Sequence, residues 1–278
     1  MMGAMSKRVA LVTGASSGIG EETALHLARE DFTVYAVARR VDRMQHLEAH
    51  GIGVFGMDVT DDASMSAGIA RIIEREGRID VLVNNAGYGS YGPVELVPIE
   101  EARRQFEVNV FGLARLTQLV LPHMREQRSG RIVNVSSIGG KFYEPLGAWY
   151  HATKFAVEGF SDSLRIELAP YDIDVVIIEP GPIKSEWSTI SRDRLTEVSA
   201  GTPYEEQAAK VAATMATYDS GFRASRPSAV ARKIVKAVTA TKPRARYPVG
   251  RGAGTLMTAR KFLPDVAFDQ VVKRMYDH

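Results

Sequence analysis

A glycine-rich turn near the N-terminus places the strongest constraint on the fold of this chain. The turn, residues 14–20, follows an apolar, β-branched run at 8–13 and precedes a helical run at 21–30. Its glycines at 14, 18 and 20 allow a tight turn, close approach of a pyrophosphate and close helix–strand packing. Because a helix N-terminus offers free N–H groups, this position favours phosphate binding over a turn that binds nothing.

Strand-like and helix-like runs alternate along the rest of the chain. The strand-like runs lie near 8–13, 33–38, 52–57, 79–84, 131–136, 173–179 and 245–249. The helical runs lie near 18–30, 41–49, 61–76, 99–126, 149–169, 203–218 and 227–240. This alternation predicts an α/β fold: a single-domain, Rossmann-type, doubly wound parallel sheet of about seven strands with helices on both faces.

The end of the second strand bears on the choice of dinucleotide. Ala38 stands where an NAD site usually has an acid that binds the ribose hydroxyls, and Arg39 and Arg40 follow it. An arginine attracts a 2′-phosphate and can form paired hydrogen bonds with it. The sequence therefore predicts a preference for NADP(H), with solvated surface arginines as the alternative.

Polar residues also end the third and fourth strands. The carboxylate of Asp58 can accept from an adenine amino group, or it can cap the helix that begins near Thr60 or Asp61. The run Asn84-Asn85-Ala86-Gly87 combines small residues, which let the backbone approach a cofactor, with amides that can bridge strands. Direct contact and a structural role both remain open for this run.

Tyr150 and Lys154 lie four residues apart in a helical run and therefore share one helix face. A nearby cation favours phenolate, so a tyrosine with an ordinary pKa of about 10 can act as an acid or base near neutral pH. Ser137 follows the strand-like run that begins at residue 131. The three side chains suit proton transfer to a carbonyl oxygen, although a Tyr-x-x-x-Lys pair also arises by chance on solvated helices.

Together these residues resemble the short-chain dehydrogenase/reductase family, in the branch with a Tyr-x-x-x-Lys pair and an N-terminal cofactor site. The matching positions keep the family's order and spacing between residues 7 and 190. They are Thr13 through Gly20, Asp58, Asn84 through Gly87, Asn109, Ser137, Tyr150, Lys154, Pro180 and Gly181. The runs 87–89 and 178–182 most resemble the 17β-hydroxysteroid-dehydrogenase-like and retinol-dehydrogenase-like enzymes.

The resemblance implies an NAD(P)-dependent oxidoreductase that acts on CH–OH groups. Tyr150 would be the general acid/base, and Ser137 would hydrogen-bond the substrate oxygen. Lys154 would lower the pKa of the tyrosine and hold the nicotinamide ribose. Asn109 would organise a helix kink and a water that links Lys154 to solvent.

The resemblance also implies how a nicotinamide would be held. The dipeptide Pro180-Gly181 would lie under the ring, and Ile183 and Ser185 would contact its carboxamide. Many NADP-preferring members carry a second basic residue where this chain has Ser17, so Arg39 would do most of the discrimination and some use of NAD(H) stays open. The predicted cofactor-binding residues are Gly14, Ser16, Ser17, Gly18, Ile19, Gly20, Arg39, Asp58, Val59, Asn85, Ala86, Gly87, Tyr150, Lys154, Pro180, Gly181, Ile183 and Ser185.

Composition narrows the remaining possibilities. The chain has 278 residues, 45% of them hydrophobic, and no cysteine, which suits one domain without disulfides or thiol chemistry. The histidines are scattered, so we expect no metal site. We also expect a cytoplasmic protein, because no signal peptide and no uncharged apolar run of about 18 residues is present. The predicted parts of the domain are a cofactor-binding and catalytic core at 7–183, a substrate lid at 184–226, and a C-terminal helix, strand and tail at 227–278.

The positive charge is concentrated near the C-terminus. Residues 221–264 contain 11 Lys and Arg and no Asp or Glu. This basic stretch is either a solvated face or a surface for weak contact with an anionic partner such as membrane lipid. No base-reading motif accompanies it, and we expect no nucleic-acid partner.

Apolar and aromatic residues mark the predicted substrate wall, which suits a sterol-like, retinoid-like or other lipid-like ketone, aldehyde or alcohol. Ordinary packing is the alternative. Between Ser137 and Tyr150 they are Phe142, Tyr143, Leu146 and Trp149, and in the lid they are Trp187, Ile190, Leu195, Tyr204, Met215, Tyr218 and Phe222.

In many family members the helices equivalent to 99–126 and 149–169 pair subunits, so the resemblance implies a homodimer or homotetramer. Apolar side chains on these helices suit either the core or a subunit contact. They are Leu113, Leu116, Val120, Phe155, Val157, Phe160 and Leu164.

Two other functions compete with an oxidoreductase of apolar carbonyls. One is a carrier-linked 3-ketoacyl reductase, whose basic stretch would meet an acidic carrier protein. The other is a non-catalytic protein that binds NADP(H) as a redox sensor, although such a binder has no need of Asn109, Ser137, Tyr150 and Lys154 together.

Overall fold

The computed structural model describes residues 7–220, 224–250 and 253–276. Its strands are β1 (Arg8–Thr13), β2 (Phe32–Ala38), β3 (Gly53–Gly56), β4 (Val81–Asn84), β5 (Gly130–Val135), β6 (Ile173–Pro180) and β7 (Arg246–Val249). They form one parallel sheet in the order β3-β2-β1-β4-β5-β6-β7. The predicted seven-stranded Rossmann-type sheet is confirmed. Its strand order reverses between β1 and β4, where open α/β sheets bind ligands.

Helices cover both faces of the sheet. They are α1 (Gly18–Ala28), α2 (Asp62–Glu76), α3 (Ile99–Phe106), α4 (Leu113–Gln127), α5 (Ala148–Leu168), α6 (Glu186–Ser199), α7 (Glu205–Ser220), α8 (Pro227–Thr239), α9 (Ala253–Phe262) and α10 (Asp265–Tyr276). Helices α1 and α8 pack on one face, and α2, α4 and α5 pack on the other. Because both faces are covered, the strands are nearly continuous apolar runs rather than alternating ones.

Two of the predicted helical runs differ in detail from the structure. Residues Val41–His50 form a 3-10 run rather than an α-helix, and its buried residues Met44 and Leu47 are spaced three apart, as that period requires. The run at 99–126 is interrupted by a π-helical segment, Glu107–Gly112, between α3 and α4. The interruption centres on Asn109, for which the resemblance implied a helix kink.

A third layer of helices stands beyond the carboxyl ends of the strands. Helices α6, α7, α9 and α10 share a core with residues of the segments after β4 and β5. The sequence did not indicate α6, because its 14 residues are rich in Ser, Thr and charged side chains. The C-terminal tail forms α9 and α10, and Phe268 of α10 packs edge-on against Phe142 with ring centroids 6.4 Å apart.

The apolar residues of α4 and α5 divide between core and surface. Leu113, Leu116, Val120, Val157 and Leu164 are all buried, so they belong to the core of this chain. Phe155 on α5 is 46% exposed.

The basic stretch is partly compensated by acids that lie elsewhere in the chain. Its residues 221–223 and 251–252 lie outside the described part. Arg246 on β7 is turned inward, where its guanidinium contacts Glu158 at 3.0 Å, Asp162 at 2.6 Å and Glu179 at 3.5 Å. Over the described residues, we find no helix with both the length and the apolar character needed to cross a membrane.

Candidate active site

The glycine turn joins β1 to α1 and leaves no room for side chains. Gly14 has φ of 65°, and a Cβ there would lie 2.8 Å from the Cα of Ala86. A Cβ on Gly20 would lie 2.4 Å from the Gly14 carbonyl oxygen and 2.6 Å from Nδ2 of Asn85. The turn is therefore packed against the end of β4, and its glycines are required by the fold itself.

The N-terminus of α1 opens into a cavity of about 580 Å³ at the carboxyl edge of the sheet. Ser17 precedes the helix, and its side chain does not cap the first turn. Ser16, Ser17, Gly18 and Ile19 all line the cavity. This geometry suits an anionic group, because uncapped N–H groups and the positive end of the helix dipole face the opening.

The end of β4 is tied to the glycine turn by internal hydrogen bonds. The Asn85 side chain donates to the carbonyl oxygens of Thr13 at 2.9 Å and Gly14 at 3.3 Å. The Thr13 hydroxyl accepts from the backbone N–H groups of Asn85 and Ala86, each at 3.0 Å. The side-chain amide of Asn85 therefore has the structural role of the two that the sequence left open. Residues 85–87 also line the cavity.

Three arginines gather where β2 ends. Arg39 and Arg40 are exposed and line the cavity. Arg40 donates to the Ser16 hydroxyl at 3.1 Å, so this arginine reaches the glycine turn where the family's second basic residue is missing. Arg43 contacts both carboxylate oxygens of Glu186 at 2.9 and 3.0 Å, and Arg40 lies 3.8 Å from the same carboxylate. The sequence did not reveal this group, because Glu186 lies in the predicted lid, far away along the chain.

Asp58 and Val59 line the cavity next to the arginines. The Asp58 carboxylate accepts from the backbone N–H and hydroxyl of Thr60, at 2.9 and 2.8 Å. The residue that caps α2 is Asp61, which accepts from Ala63 and Ser64. The alternative in which Asp58 caps the helix is therefore wrong.

The structure brings Ser137, Tyr150 and Lys154 together at the centre of the cavity wall. Tyr150 and Lys154 are each only 8% exposed. Lys154 donates to the carbonyl oxygen of Val135 at 3.0 Å, and its Nζ lies 5.9 Å from the centre of the Tyr150 ring. Ser137 accepts from the Gly139 N–H at 3.0 Å, which sets its hydroxyl at the end of β5.

Burial dominates the electrostatics of this group. It raises the pKa of Tyr150 well above the ordinary value, while a hydrogen bond with Ser137 acts in the opposite direction. It also lowers the pKa of Lys154 to about 8. Burial disfavours whichever form is charged, so the phenol is held protonated and the ammonium is weakened.

Asn109 lies in the π-helical segment and is fully engaged. Its side chain donates to the carbonyl oxygen of Tyr88 at 2.8 Å and to the hydroxyl of Thr153 at 3.1 Å, and it accepts from the Tyr88 N–H at 3.0 Å. Thr153 in turn donates to the carbonyl oxygen of Tyr150 at 2.7 Å. Asn109 therefore links the loop after β4 to Thr153 of α5, which is one residue from Lys154.

The segment after β6 forms another part of the cavity wall. The Gly181 N–H donates to the carbonyl oxygen of Val249 at 2.7 Å, and Ile183 forms a parallel bridge with Ser225. The hydroxyl of Ser185 donates to the carbonyl oxygen of Ile183 at 3.4 Å. Pro180, Gly181, Ile183 and Ser185 all line the cavity, and Ser185 lies next to the glycine turn, because a Cβ on Gly18 would be 3.7 Å from its Cβ.

Aromatic rings surround Tyr150 at the far end of the cavity from the arginines. Tyr150 lies 5.0 Å from Trp187 and 5.7 Å from Tyr91, measured between ring centroids. Phe142 and Met215 complete this wall. Tyr91 was not anticipated, because it follows the glycine-rich run 87–89 and has no periodic signal of its own.

His151 contributes to the same wall. Its ring meets the Tyr150 ring edge-on, with the ring centroids 5.7 Å apart. Its Nδ1 lies 2.8 Å from the carbonyl oxygen of Gly139, and its Nε2 accepts from the Glu144 N–H at 3.1 Å. These two bonds together require the neutral tautomer that carries its proton on Nδ1.

This chain is similar to known proteins in both sequence and fold. The short chain dehydrogenase family matches residues 8–195. A 3-ketodihydrosphingosine reductase from Bacteroides thetaiotaomicron is 41% identical over 180 residues, which is 64% of each protein. An NADPH-dependent 3-dehydrocapnine reductase from Ornithobacterium rhinotracheale is 34% identical over 277 residues, which is 95% of each.

Solved structures agree with this relationship. A short-chain dehydrogenase from Streptomyces avermitilis superposes with a TM-score of 0.79 at 34% identity, covering 97% of this chain and 96% of that one. An actinorhodin polyketide ketoreductase solved with NADPH superposes with a TM-score of 0.75 at 31% identity, covering 91% and 99%. The resemblance to one subgroup stays a prediction, but the chain itself belongs to the short-chain dehydrogenase/reductase family and is an oxidoreductase.

Proposed function

We propose that this protein is an NADP(H)-dependent oxidoreductase that interconverts an apolar ketone or aldehyde and the corresponding alcohol, with Tyr150 as general acid/base. The observation that carries the proposal is one continuous cavity, lined at one end by the glycine turn and arginines and at the other by Ser137, Tyr150 and aromatic rings. A dinucleotide and a substrate could meet in it beside the phenol.

The residues present fit a dinucleotide with a 2′-phosphate. The turn around Gly14 and Gly20 has no space for a Cβ, so the backbone itself forms the wall, and the uncapped start of α1 faces the opening. Arg39 and Arg40 provide cations beside that turn. The cofactor supplies hydride transfer when bound. The relative named as NADPH-dependent and the ketoreductase solved with NADPH support the choice of NADP(H).

Ser137 and Tyr150 are the two hydroxyl donors that can meet an oxygen on which negative charge develops. Loss of one such donor typically costs about 3 kcal/mol of transition-state stabilisation. Proton donation by Tyr150 would contribute about 10²–10⁴-fold. Burial raises the pKa of Tyr150, so at neutral pH the phenol is in the protonated form that can donate to a substrate oxygen.

The lid and the aromatic wall support an apolar, lipid-like substrate. Trp187 on α6 and Met215 on α7 face Tyr150, and we propose that residues 184–226 close over the substrate. Two relatives are named as reductases, one of 3-ketodihydrosphingosine and the other of 3-dehydrocapnine. The similarity to a polyketide ketoreductase keeps a carrier-linked 3-ketoacyl substrate as the second candidate.

We also propose that the protein assembles as a homodimer or homotetramer. Phe111 is 55% exposed and Phe155 is 46% exposed, at the predicted pairing helices. Multi-angle light scattering would report the mass directly, and a monomer across the micromolar range would contradict the proposal.

The decisive experiment compares Tyr150→Phe with Tyr91→Phe. Both remove a hydroxyl from neighbouring rings in the same wall, so the second variant controls for loss of packing or polarity. NADPH binding is followed by fluorescence, and turnover by absorbance at 340 nm, with a panel of apolar ketones and aldehydes. We expect Tyr150→Phe to bind NADPH normally and to lose about 10²–10⁴-fold in kcat.

Three other outcomes have distinct meanings. Unchanged turnover in Tyr150→Phe would remove the catalytic assignment. Equal losses in both variants would indicate a structural effect. NADPH binding by the unaltered protein without turnover of any free carbonyl would favour the carrier-linked substrate or the redox sensor.

A further inference from the structure

A carboxylate stands in the otherwise apolar end of the cavity. Glu144 lies between Ser137 and α5, is half-buried, and lines the cavity with Tyr91, Phe142 and Trp187. The other acids that line the cavity in the described part of the chain, Asp58 and Glu186, lie at the arginine end. The proposed function has no use for a negative charge at this place.

The position of this carboxylate is set by its neighbours. The Glu144 backbone N–H donates to Nε2 of His151 at 3.1 Å, and the hydroxyl of Tyr91 donates to its Oε2 at 3.4 Å. The carboxylate also lies close enough to Tyr150 to raise the pKa of that phenol. Glu144 is therefore held beside the group that would protonate the substrate oxygen.

The neighbouring cations have other partners. Lys141 contacts Glu158 at 2.6 Å, Arg260 contacts Asp265 at 2.8 Å, and Lys154 donates to the Val135 carbonyl oxygen at 3.0 Å. Across residues 7–220, 224–250 and 253–276, no ion pair involves Glu144. A half-buried carboxylate in a mainly apolar wall, with no cation of these residues paired to it, can form an ion pair with a cationic ligand.

The rings around the carboxylate are also suited to a cation. Tyr91, Tyr150 and Trp187 form a cluster with centroid separations of 5.0 to 5.9 Å. Aromatic faces attract ammonium groups, and the attraction grows where water is excluded. A carboxylate that is flanked by aromatic rings is the usual chemistry of an ammonium site.

We propose that the substrate is an amino ketone: an apolar molecule with an ammonium group close to its carbonyl, which Glu144 binds through an ion pair. This inference rests on the proposed function, because it places the carbonyl at Ser137 and Tyr150. Bound ammonium also offsets the negative charge beside Tyr150 and so eases the build-up of charge on that side chain.

The test uses two ketones that differ in one group. Aminomethyl octyl ketone and hydroxymethyl octyl ketone have the same length and the same carbonyl, but only the first carries a cation at neutral pH. With NADPH, we expect kcat/KM of the unaltered protein to favour the amino ketone about 10- to 100-fold, as charged hydrogen bonds do.

Two variants of Glu144 and one control separate charge from shape. Glu144→Gln should reduce the preference to about one, and Glu144→Lys should make the hydroxy ketone the better substrate. Glu167→Gln, the same change at an exposed position of α5, should keep the full preference. A preference that survives Glu144→Gln, or that is absent from the unaltered protein, would overturn the proposal.

A binding measurement distinguishes failure of the ammonium site from failure of the proposed function. Calorimetry in the presence of NADPH should show that octylamine binds more tightly than octanol, and that Glu144→Gln abolishes the difference. If neither ketone is reduced but the amine still binds preferentially, the oxidoreductase assignment is wrong and the ammonium site stands. If the hydroxy ketone is reduced while the amine shows no preference, the reaction stands and the ammonium site is wrong.

Discussion

The choice between NADPH and NADH should depend on Arg40 as well as on Arg39. Arg40 is already anchored to the glycine turn through Ser16 at 3.1 Å. It also lies 3.8 Å from the Glu186 carboxylate, a distance at which two unit charges interact by about 1 kcal/mol in a fully aqueous dielectric. The side chains of Arg40 and Glu186 are 47% and 51% exposed, so the aqueous value is the appropriate one.

A 2′-phosphate carries about two negative charges at neutral pH. At a similar separation it would interact with Arg40 by about 2 kcal/mol, or about 30-fold in Kd. We therefore expect Arg40→Gln and Arg39→Gln each to lower the ratio of NADH Kd to NADPH Kd by about 10- to 30-fold. The Kd of NADH should change little, because it has no phosphate at this position.

Glu186→Gln should act in the opposite direction. The carboxylate competes with the phosphate for Arg40, so its removal should tighten NADPH binding by up to about 5-fold, the equivalent of about 1 kcal/mol. Arg43→Gln is the matched control, since both contacts from its guanidinium go to Glu186. It frees the same carboxylate while both arginines at the end of β2 remain.

The assay is a fluorescence titration of each variant with both cofactors at low and physiological salt. Weakening of NADPH binding with salt should be smaller in Arg40→Gln than in the unaltered protein. If Arg40→Gln weakened NADH and NADPH equally, the arginine would be a structural support of the glycine turn. The argument from charge would then be refuted.

Three further predictions concern stability and cofactor binding. Because burial lowers the pKa of Lys154 to about 8, the unfolded chain binds the proton more tightly than the folded one from about pH 8 to pH 10.5, so stability rises with pH in that window. Lys154→Met should therefore unfold with a higher free energy than the unaltered protein at pH 7, and this advantage should shrink by about 2 to 3 kcal/mol between pH 7 and pH 10. Urea titrations measure it, and a difference that stays constant with pH would contradict the prediction. Gly20→Ala should abolish NADPH binding in calorimetry, because its Cβ would stand 2.4 Å from the Gly14 carbonyl oxygen, and retained affinity would show that the turn relaxes. Asp61→Ala should lower the unfolding free energy by about 1 kcal/mol through loss of the α2 cap, and a larger loss in Asp58→Ala would reverse the assignment of the cap.

Much of the fold could be predicted because its determinants are local. Strands β1, β2, β4 and β6 are mainly apolar, buried runs, and parallel strands buried on both faces have that signature. The glycine turn could be recognised because its constraint is steric and its glycines lie within seven residues. Helix α6 could not be recognised from the sequence, because its register depends on packing against α7 rather than on its own apolar period.

The contacts that give the site its specificity are long-range, and no spacing rule indicates them. Arg40 meets Ser16 from 24 residues away, and Arg43 meets Glu186 from 143 residues away. Glu144 meets Tyr91 from 53 residues away. Each of these side chains has the sequence context of an ordinary surface residue. Their segments follow different strands, and they meet because all the strands of the sheet are parallel and end at the same edge.

The protonation of Tyr150 shows why such a site also resists prediction from residue types. A tyrosine and a lysine four apart suggest a lowered pKa for the phenol, because charge attraction is the effect that spacing makes visible. In the folded protein the larger effect is burial, which raises the pKa of Tyr150 and lowers that of Lys154. The two effects oppose each other, and their balance depends on how much of the pocket is closed to water. The phenol of Tyr150 is therefore protonated at neutral pH, which is the form that donates a proton to a substrate oxygen.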